Sequence, residues 1–267
     1  MLKFCANLTM LFGEADFLSR FKLAAEAGFT GVEYLFPYPW EKDRLVELLG
    51  RYGLEQVLHN LPAGDWAAGE RGVACIPGRE QEFRDGVGLA LEYAKALGCR
   101  QLNCLAGLLP ANVSREKAFA TLAENLLFAA RALDGEGIRF LIEPLNSVDM
   151  PGFSVVHTAD ALELIREIGH PNLWIQYDVY HMQIMEGNLT RTIVSNLDRI
   201  SHIQVADNPG RNEPGTGEIN YPYLLKSIEA AGYDGWIGCE YKPAAGTMEG
   251  LGWIEVCRAA SGSGGFR

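Results

Sequence analysis

Short apolar runs alternate along the chain with longer stretches in which apolar residues recur every three or four positions. The short runs are residues 3–7, 31–35, 54–59, 100–105, 138–143, 173–178, 200–205 and 236–240. A run of this length bounded by turn residues suits a strand buried on both faces, as in a parallel sheet. The longer stretches are residues 14–27, 40–52, 80–97, 114–133, 158–168, 187–197, 221–231 and 249–259. In the first of them Phe17, Phe21, Leu23, Ala24 and Ala27 fall at helical spacing, and Gly28 supplies a stop. Gly53 and Gly98 stop two later helices in the same way. Ser114 opens a helix with Lys117 three residues on, which leaves its capping box incomplete, and Thr158 is the expected N-cap of another.

Alternation of this kind implies parallel strands joined by helical crossovers. Eight units predict an α/β chain forming a single-domain (β/α)8 TIM barrel, a fold that takes about 250 residues. The rival, an open doubly wound sheet, usually carries a Gly-rich phosphate turn, and no GxGxxG or Walker pattern is present. The barrel is expected to span residues 1–260, with residues 261–267 (SGSGGFR) as a flexible tail. Residues 60–78 break the rhythm. Rich in Gly, Ala and Pro, they read as a lid loop over the site, with Trp66 and Arg71 available to hold a ligand.

Several predicted strands end in oxygen donors: Glu143, Asp178, Gln204 and Glu240. Barrel enzymes build their sites at the C-terminal ends of the strands, so these four are expected to face one cavity. Three carboxylates there repel one another unless a positive charge intervenes. Oxygen ligation without cysteine favours Mg²⁺ or Mn²⁺ as that charge. His59 and His181 are candidate substrate hydrogen-bond donors. His202, two residues before Gln204, points the same way and lies either beneath the cluster or within it. Arg211, in the turn-dense segment 207–219, and Lys242, just past Glu240, are candidate carboxylate binders.

Composition narrows the partners. The 267 residues carry a formal net charge of -11, which argues against nucleic acid and leaves Arg211 and Lys242 as local cations for a small anionic substrate. The six cysteines show no CxxC spacing and are expected to be buried free thiols. The N-terminus lacks a signal-like segment and no apolar run reaches about 18 residues. A cytoplasmic protein with no membrane partner is therefore expected, and a homo-oligomer is compatible with this composition.

Five segments resemble the hydroxypyruvate isomerase family of xylose-isomerase-like barrels: HNLPAGDW at 59–66, IPGR at 76–79, IQYDVYHM at 175–182, PGTGEINY at 214–221 and GCEYKP at 238–243. The resemblance runs from Met1 to about Trp253. It implies interconversion of hydroxypyruvate and tartronate semialdehyde (2-hydroxy-3-oxopropanoate) through an enediolate. Glu143 and Glu240 would be the paired acid/base residues and, with Asp178 and Gln204, the ligands of Mg²⁺ or Mn²⁺. Isomerases of 2-oxo-tetronates and ketose 3-epimerases share these motifs and stand as alternatives. Endonuclease IV, in the same wider group, needs a histidine-rich zinc cluster, and five histidines spread along the chain fall short of it.

Overall fold

The computed structural model describes residues 2–260; the expected tail at 261–267 lies outside the described residues. Eight parallel strands close on themselves in sequence order. The chain runs β1 (Lys3–Asn7), α1 (Phe17–Glu26), β2 (Gly31–Glu33), α2 (Lys42–Tyr52), β3 (Glu55–Asn60), α3 (Glu80–Leu97), β4 (Gln101–Cys104), α4 (Arg115–Asp134) and β5 (Arg139–Ile142). It continues through α5 (Thr158–Ile168), β6 (Leu173–Asp178), α6 (Val179–Met185), α7 (Leu189–Ser195), β7 (Ile200–Val205), α8 (Tyr221–Ala230), β8 (Trp236–Cys239), α9 (Thr247–Gly250) and α10 (Gly252–Ala260). The predicted barrel is therefore present. β2 stops at Glu33, short of the expected Leu35. α6 follows Asp178 directly where a loop was expected, and the cap of α5 is His157, one residue before Thr158. Ser114 caps α4 as expected, its Oγ accepting from the Lys117 amide at 3.3 Å.

The large core lies between sheet and helices. There Phe21, Leu45, Phe83, Leu122, Leu126 and Leu164 from the helices meet the outward faces of the strands. A smaller cluster of Cys5, Val57, Leu58 and Leu141, with Trp174 and Trp236 packed against it, is separate from that layer. All six cysteines are free and buried, as expected.

Two irregularities in the sheet decide which side chains reach the site. Between β2 and β3, Val32 pairs with Gln56 but Glu33 pairs with Leu58, so Val57 is an extra residue on β3. Between β6 and β7, Ile175 pairs with Ile200 but Gln176 pairs with His202, so Ser201 is extra on β7. A bulge of this kind re-aims every side chain after it. Among the described residues no helix is long and apolar enough to cross a membrane.

Candidate active site

All eight strands bring a polar residue to one end of the barrel. β1 to β4 contribute Asn7, Glu33, Asn60 and Asn103; β5 to β8 contribute Glu143, Asp178, Gln204 and Glu240, two of them one residue past the strand. None is more than 8% exposed. They surround a cavity of about 360 Å³ that Glu143, Gln204, Glu240, His181, Arg211 and Asn60 line on its polar side. Met10, Phe36, Leu58, Trp66, Leu105, Leu145 and Met150 form the apolar wall.

The four predicted oxygen donors do come together. Asp178 caps α6, its Oδ1 accepting from the amides of Tyr180 at 2.8 Å and His181 at 3.4 Å. Its Oδ2 is buried and has no hydrogen-bond partner. Oxygens or nitrogens of Glu143, Asp178 and His181 lie within 4.8 Å of one another. An orphaned carboxylate oxygen beside two further buried carboxylates is a donor set that suits a divalent cation. Gln204 sits in the cluster with its amide turned the other way. Its Nε2 donates to Glu240 at 2.5 Å and Glu33 at 2.8 Å, while its Oε1 accepts from Gln176 at 2.6 Å. To offer oxygen to an ion it must rotate, and Gln176, whose Oε1 is without a partner, can rotate with it.

Electrostatics follows from this crowding. Burial pushes the Glu143 carboxyl well above the usual range, and the neighbouring charges of Glu240 and Asp178 push it further. Burial likewise raises Glu240, to about 8; Asp178 and Glu33 add to the rise and Arg211 opposes it. The Arg211 guanidinium is the positive charge inside the cluster, 2.8 Å from Glu240 and 3.7 Å from Asp178. Burial works against its charge, but Glu240, Asp178 and Glu143 outweigh that and raise its pKa. The backbone of Arg211 is in the left-handed region at φ 53. Such a conformation at a non-glycine residue costs on the order of 1 kcal/mol or more and persists where surroundings impose it. Here Asp207 imposes it, accepting from the amides of Asn208, Gly215 and Ile219, while the Lys242 amide donates to the Arg211 carbonyl. The loop salt bridge open to Arg211 from sequence, with Glu213, is not made; Glu213 accepts from the Ala244 amide.

His181 is 1% exposed and lowered to about 4, chiefly by burial. Its Nδ1 accepts from the Asn146 amide at 3.1 Å, which leaves the proton on Nε2, facing Asp178 Oδ2 at 3.5 Å. His202 lies beneath the cluster rather than in it, with Nε2 2.7 Å from Glu33.

Three of the expected binding residues are elsewhere. His59 does not reach the cavity: the extra Val57 turns Leu58 and Asn60 inward, and His59 faces Tyr38, its Nδ1 3.5 Å from the phenol oxygen. Lys242 is exposed and holds the Arg211 loop through its backbone, not its ammonium group. Arg71 stacks on Trp66 at 4.0 Å and donates to the carbonyls of Trp66 and Glu70, so it shapes the loop tip while Trp66 alone lines the cavity. The 60–78 segment is anchored at its base, with Val73, Ala74 and Cys75 buried and the Cys75 amide donating to the Ala106 carbonyl.

Glu33 is the member that sequence reading passed over. Burial disfavours its carboxylate, yet His202 at 2.7 Å and the amides of Gln204 and Asn7 more than offset this and hold its pKa below the usual value. Gly238 makes room for it: a Cβ there would lie 2.4 Å from Glu33 Oε1.

The xylose isomerase-like TIM barrel family model matches residues 21–257. Hydroxypyruvate isomerase of Escherichia coli K12 is 58% identical over 258 residues, 97% of this chain and 100% of that protein. The chain belongs to the hydroxypyruvate isomerase family. A 2-oxo-tetronate isomerase of Cupriavidus necator is 48% identical, covering 96% of this chain and 98% of its own length. A solved structure from Brucella melitensis described as an AP endonuclease of family 2 superposes with a TM-score of 0.94 at 50% identity, covering 96% and 99% of the two chains. Family membership thus agrees with the barrel and with the motifs that carried the resemblance.

Proposed function

We propose that this protein is a hydroxypyruvate isomerase that interconverts hydroxypyruvate and tartronate semialdehyde. The observation that carries the reading is the placement of two buried glutamates, Glu143 after β5 and Glu240 after β8, on one cavity beside Asp178 and Arg211. The reaction moves a proton between adjacent carbons through an enediolate. One of the two carboxylates takes the proton from carbon and the other delivers one at the neighbouring position or to oxygen, a role worth roughly 10²- to 10⁴-fold in rate. Arg211 receives the substrate carboxylate with its planar fork. His181, neutral and carrying its proton on Nε2, donates to a substrate oxygen.

Glu143, Asp178 and Glu240 are the residues that would hold a divalent cation, with Gln204 joining after amide rotation and His181 as a nearby nitrogen. Oxygen donors favour Mg²⁺ or Mn²⁺. When bound, such an ion supplies positive charge that stabilises the enediolate. Trp66, at the exposed tip of the 60–78 loop, serves as the lid that keeps water from the intermediate. The substrate is a small anionic hydroxy-oxo acid. Nucleic-acid chemistry is disfavoured by the net charge of -11 and by a cluster to which histidine contributes little.

A second reading, isomerisation of a 2-oxo-tetronate, is supported by the 48% identity to a protein of that activity and by a cavity with space for a fourth carbon. Turnover of hydroxypyruvate and of C4 acids by purified protein with Mg²⁺ or Mn²⁺ separates the two. Absence of product from all of them would refute the isomerase reading, and deuterium incorporation at one carbon without carbonyl migration would favour an epimerase.

A further inference from the structure

Resting on the isomerase reading, we propose that Asn7 and Asn103 are a matched pair of positioning residues, one for each glutamate. Asn103 Nδ2 donates to Glu143 Oε2 at 2.9 Å, and Asn7 Nδ2 donates to Glu240 Oε2 at 2.9 Å. Each amide reaches its glutamate from the neighbouring strand, Asn7 from the level of Glu240 and Asn103 from the level of Leu141, two residues before Glu143. Asn103 is on β4, next to the strand that delivers Glu143; Asn7 is on β1, next to the strand that delivers Glu240. Ala6 is level with Cys239, so Asn7 and Glu240 follow their strands side by side.

Both asparagines are buried, at 2% and 0% exposure, and asparagine is a poor strand former. A buried amide in a strand is retained only where its hydrogen bonds repay desolvation. Asn7 has its amide fixed, because Oδ1 accepts from the Thr9 amide at 3.0 Å and Nδ2 must then face Glu240 and, at 3.0 Å, Glu33. Asn103 Nδ2 also donates to Asn60 Oδ1 at 3.2 Å.

The chemistry explains why an amide stands there. The terminal torsion of a glutamate is broad, so a carboxylate held by its stem alone samples many orientations. A donor on Oε2 fixes the plane, Asn7 sharing Glu240 Oε2 with Gln204, and leaves Oε1 to handle a proton, in Glu240 once Arg211, 2.8 Å away, is drawn off it. A lysine or histidine donor would add a titrating charge among three carboxylates; an amide has none at any working pH.

The test uses Asn7→Leu and Asn103→Leu, which keep the branched shape and remove the donor, in full-length protein with Mn²⁺. Kinetics are measured at a temperature where circular dichroism shows each variant folded. Hydrogen bonds to charged groups predict a kcat lower by roughly 10- to 100-fold in each, with KM within about threefold of wild type. If a leucine variant does not fold, the corresponding serine variant is read by the same criterion. An unchanged kcat, or a KM rise without a kcat loss, overturns the assignment for that asparagine. Wild type inactive on hydroxypyruvate and on C4 acids would instead overturn the isomerase reading, so the two failures are distinguishable.

Discussion

Replacing Glu143 by glutamine is expected to stabilise the metal-free protein at neutral pH. Burial is the largest cause of the raised Glu143 pKa, followed by Glu240 and Asp178. Glu240 is raised from 4.5 to about 8, again mainly by burial. A carboxyl raised on folding keeps a proton that the unfolded chain has released. Its contribution is complete below the unfolded value of 4.5 and is lost as pH climbs through the folded value. For Glu240 that window runs from 4.5 to about 8; for Glu143 it opens at the same 4.5 and extends upward.

Each retained proton costs about 1.4 kcal/mol of stability per pH unit inside the window. With both carboxyls involved, the slope reaches up to about 2.8 kcal/mol per unit. Glu143→Gln removes one of the two protons and brings it down to about 1.4, so the variant gains on wild type as pH rises above 4.5. Urea unfolding in EDTA at pH 5, 6, 7 and 8 measures this directly. Mg²⁺ or Mn²⁺ should then narrow the gap: an ion at about a hundredfold excess over its Kd adds about 2.7 kcal/mol to wild type, and less to a variant lacking one anionic ligand. Parallel stability–pH curves for the two proteins in EDTA would show that Glu143 does not retain the proton assigned to it.

Other perturbations separate the layers of the site. Arg211→Ala should raise the KM for the acid by roughly 10-fold or more, the scale of a lost charge-assisted hydrogen bond, while Lys242→Ala changes it less than about twofold because that ammonium group is exposed and outside the cavity; equal effects in steady-state kinetics would count against this placement. Glu33→Ala strips acceptors from Asn7, Gln204 and His202 at a fully buried position, and urea denaturation should register a loss of about 3–5 kcal/mol. A loss under 1 kcal/mol would mean that the layer beneath the carboxylates is not held by Glu33. Asp178→Asn should weaken Mn²⁺ binding by at least about 10-fold in calorimetric titration, since it neutralises the carboxylate whose Oδ2 has no hydrogen-bond partner; unaltered affinity would remove Asp178 from the ligand set.

Much of this was legible in the sequence, and the exceptions have local causes. The barrel follows from eight apolar runs separated by helical periodicity, a signal that survives errors of one or two residues at each boundary. Glu143, Asp178, Gln204 and Glu240 stood out because each follows an apolar run. Glu33 has the same signature in Gly31-Val32-Glu33, but the apolar pair Tyr34-Leu35 extends the run and hides where β2 stops. Asn7 and Asn103 carry no charge, and their roles emerge only when neighbouring strands bring their amides within reach of the glutamates.

His59 and Arg211 show two further limits of pattern reading. Counting by twos along β3 cannot reveal an inserted Val57, yet that one residue exchanges His59 for Asn60 at the cavity wall. Arg211 was visible as a loop cation. Its entry into the carboxylate cluster depends on a left-handed backbone and on the three amides gathered by Asp207. That constraint bears on chemistry: the guanidinium bound to Glu240 neutralises the cluster when nothing else does, and a substrate carboxylate must draw it toward itself. On the proposed isomerase reading, the residue that would recognise the acid is then also the one whose release would leave Glu240 free to act on it.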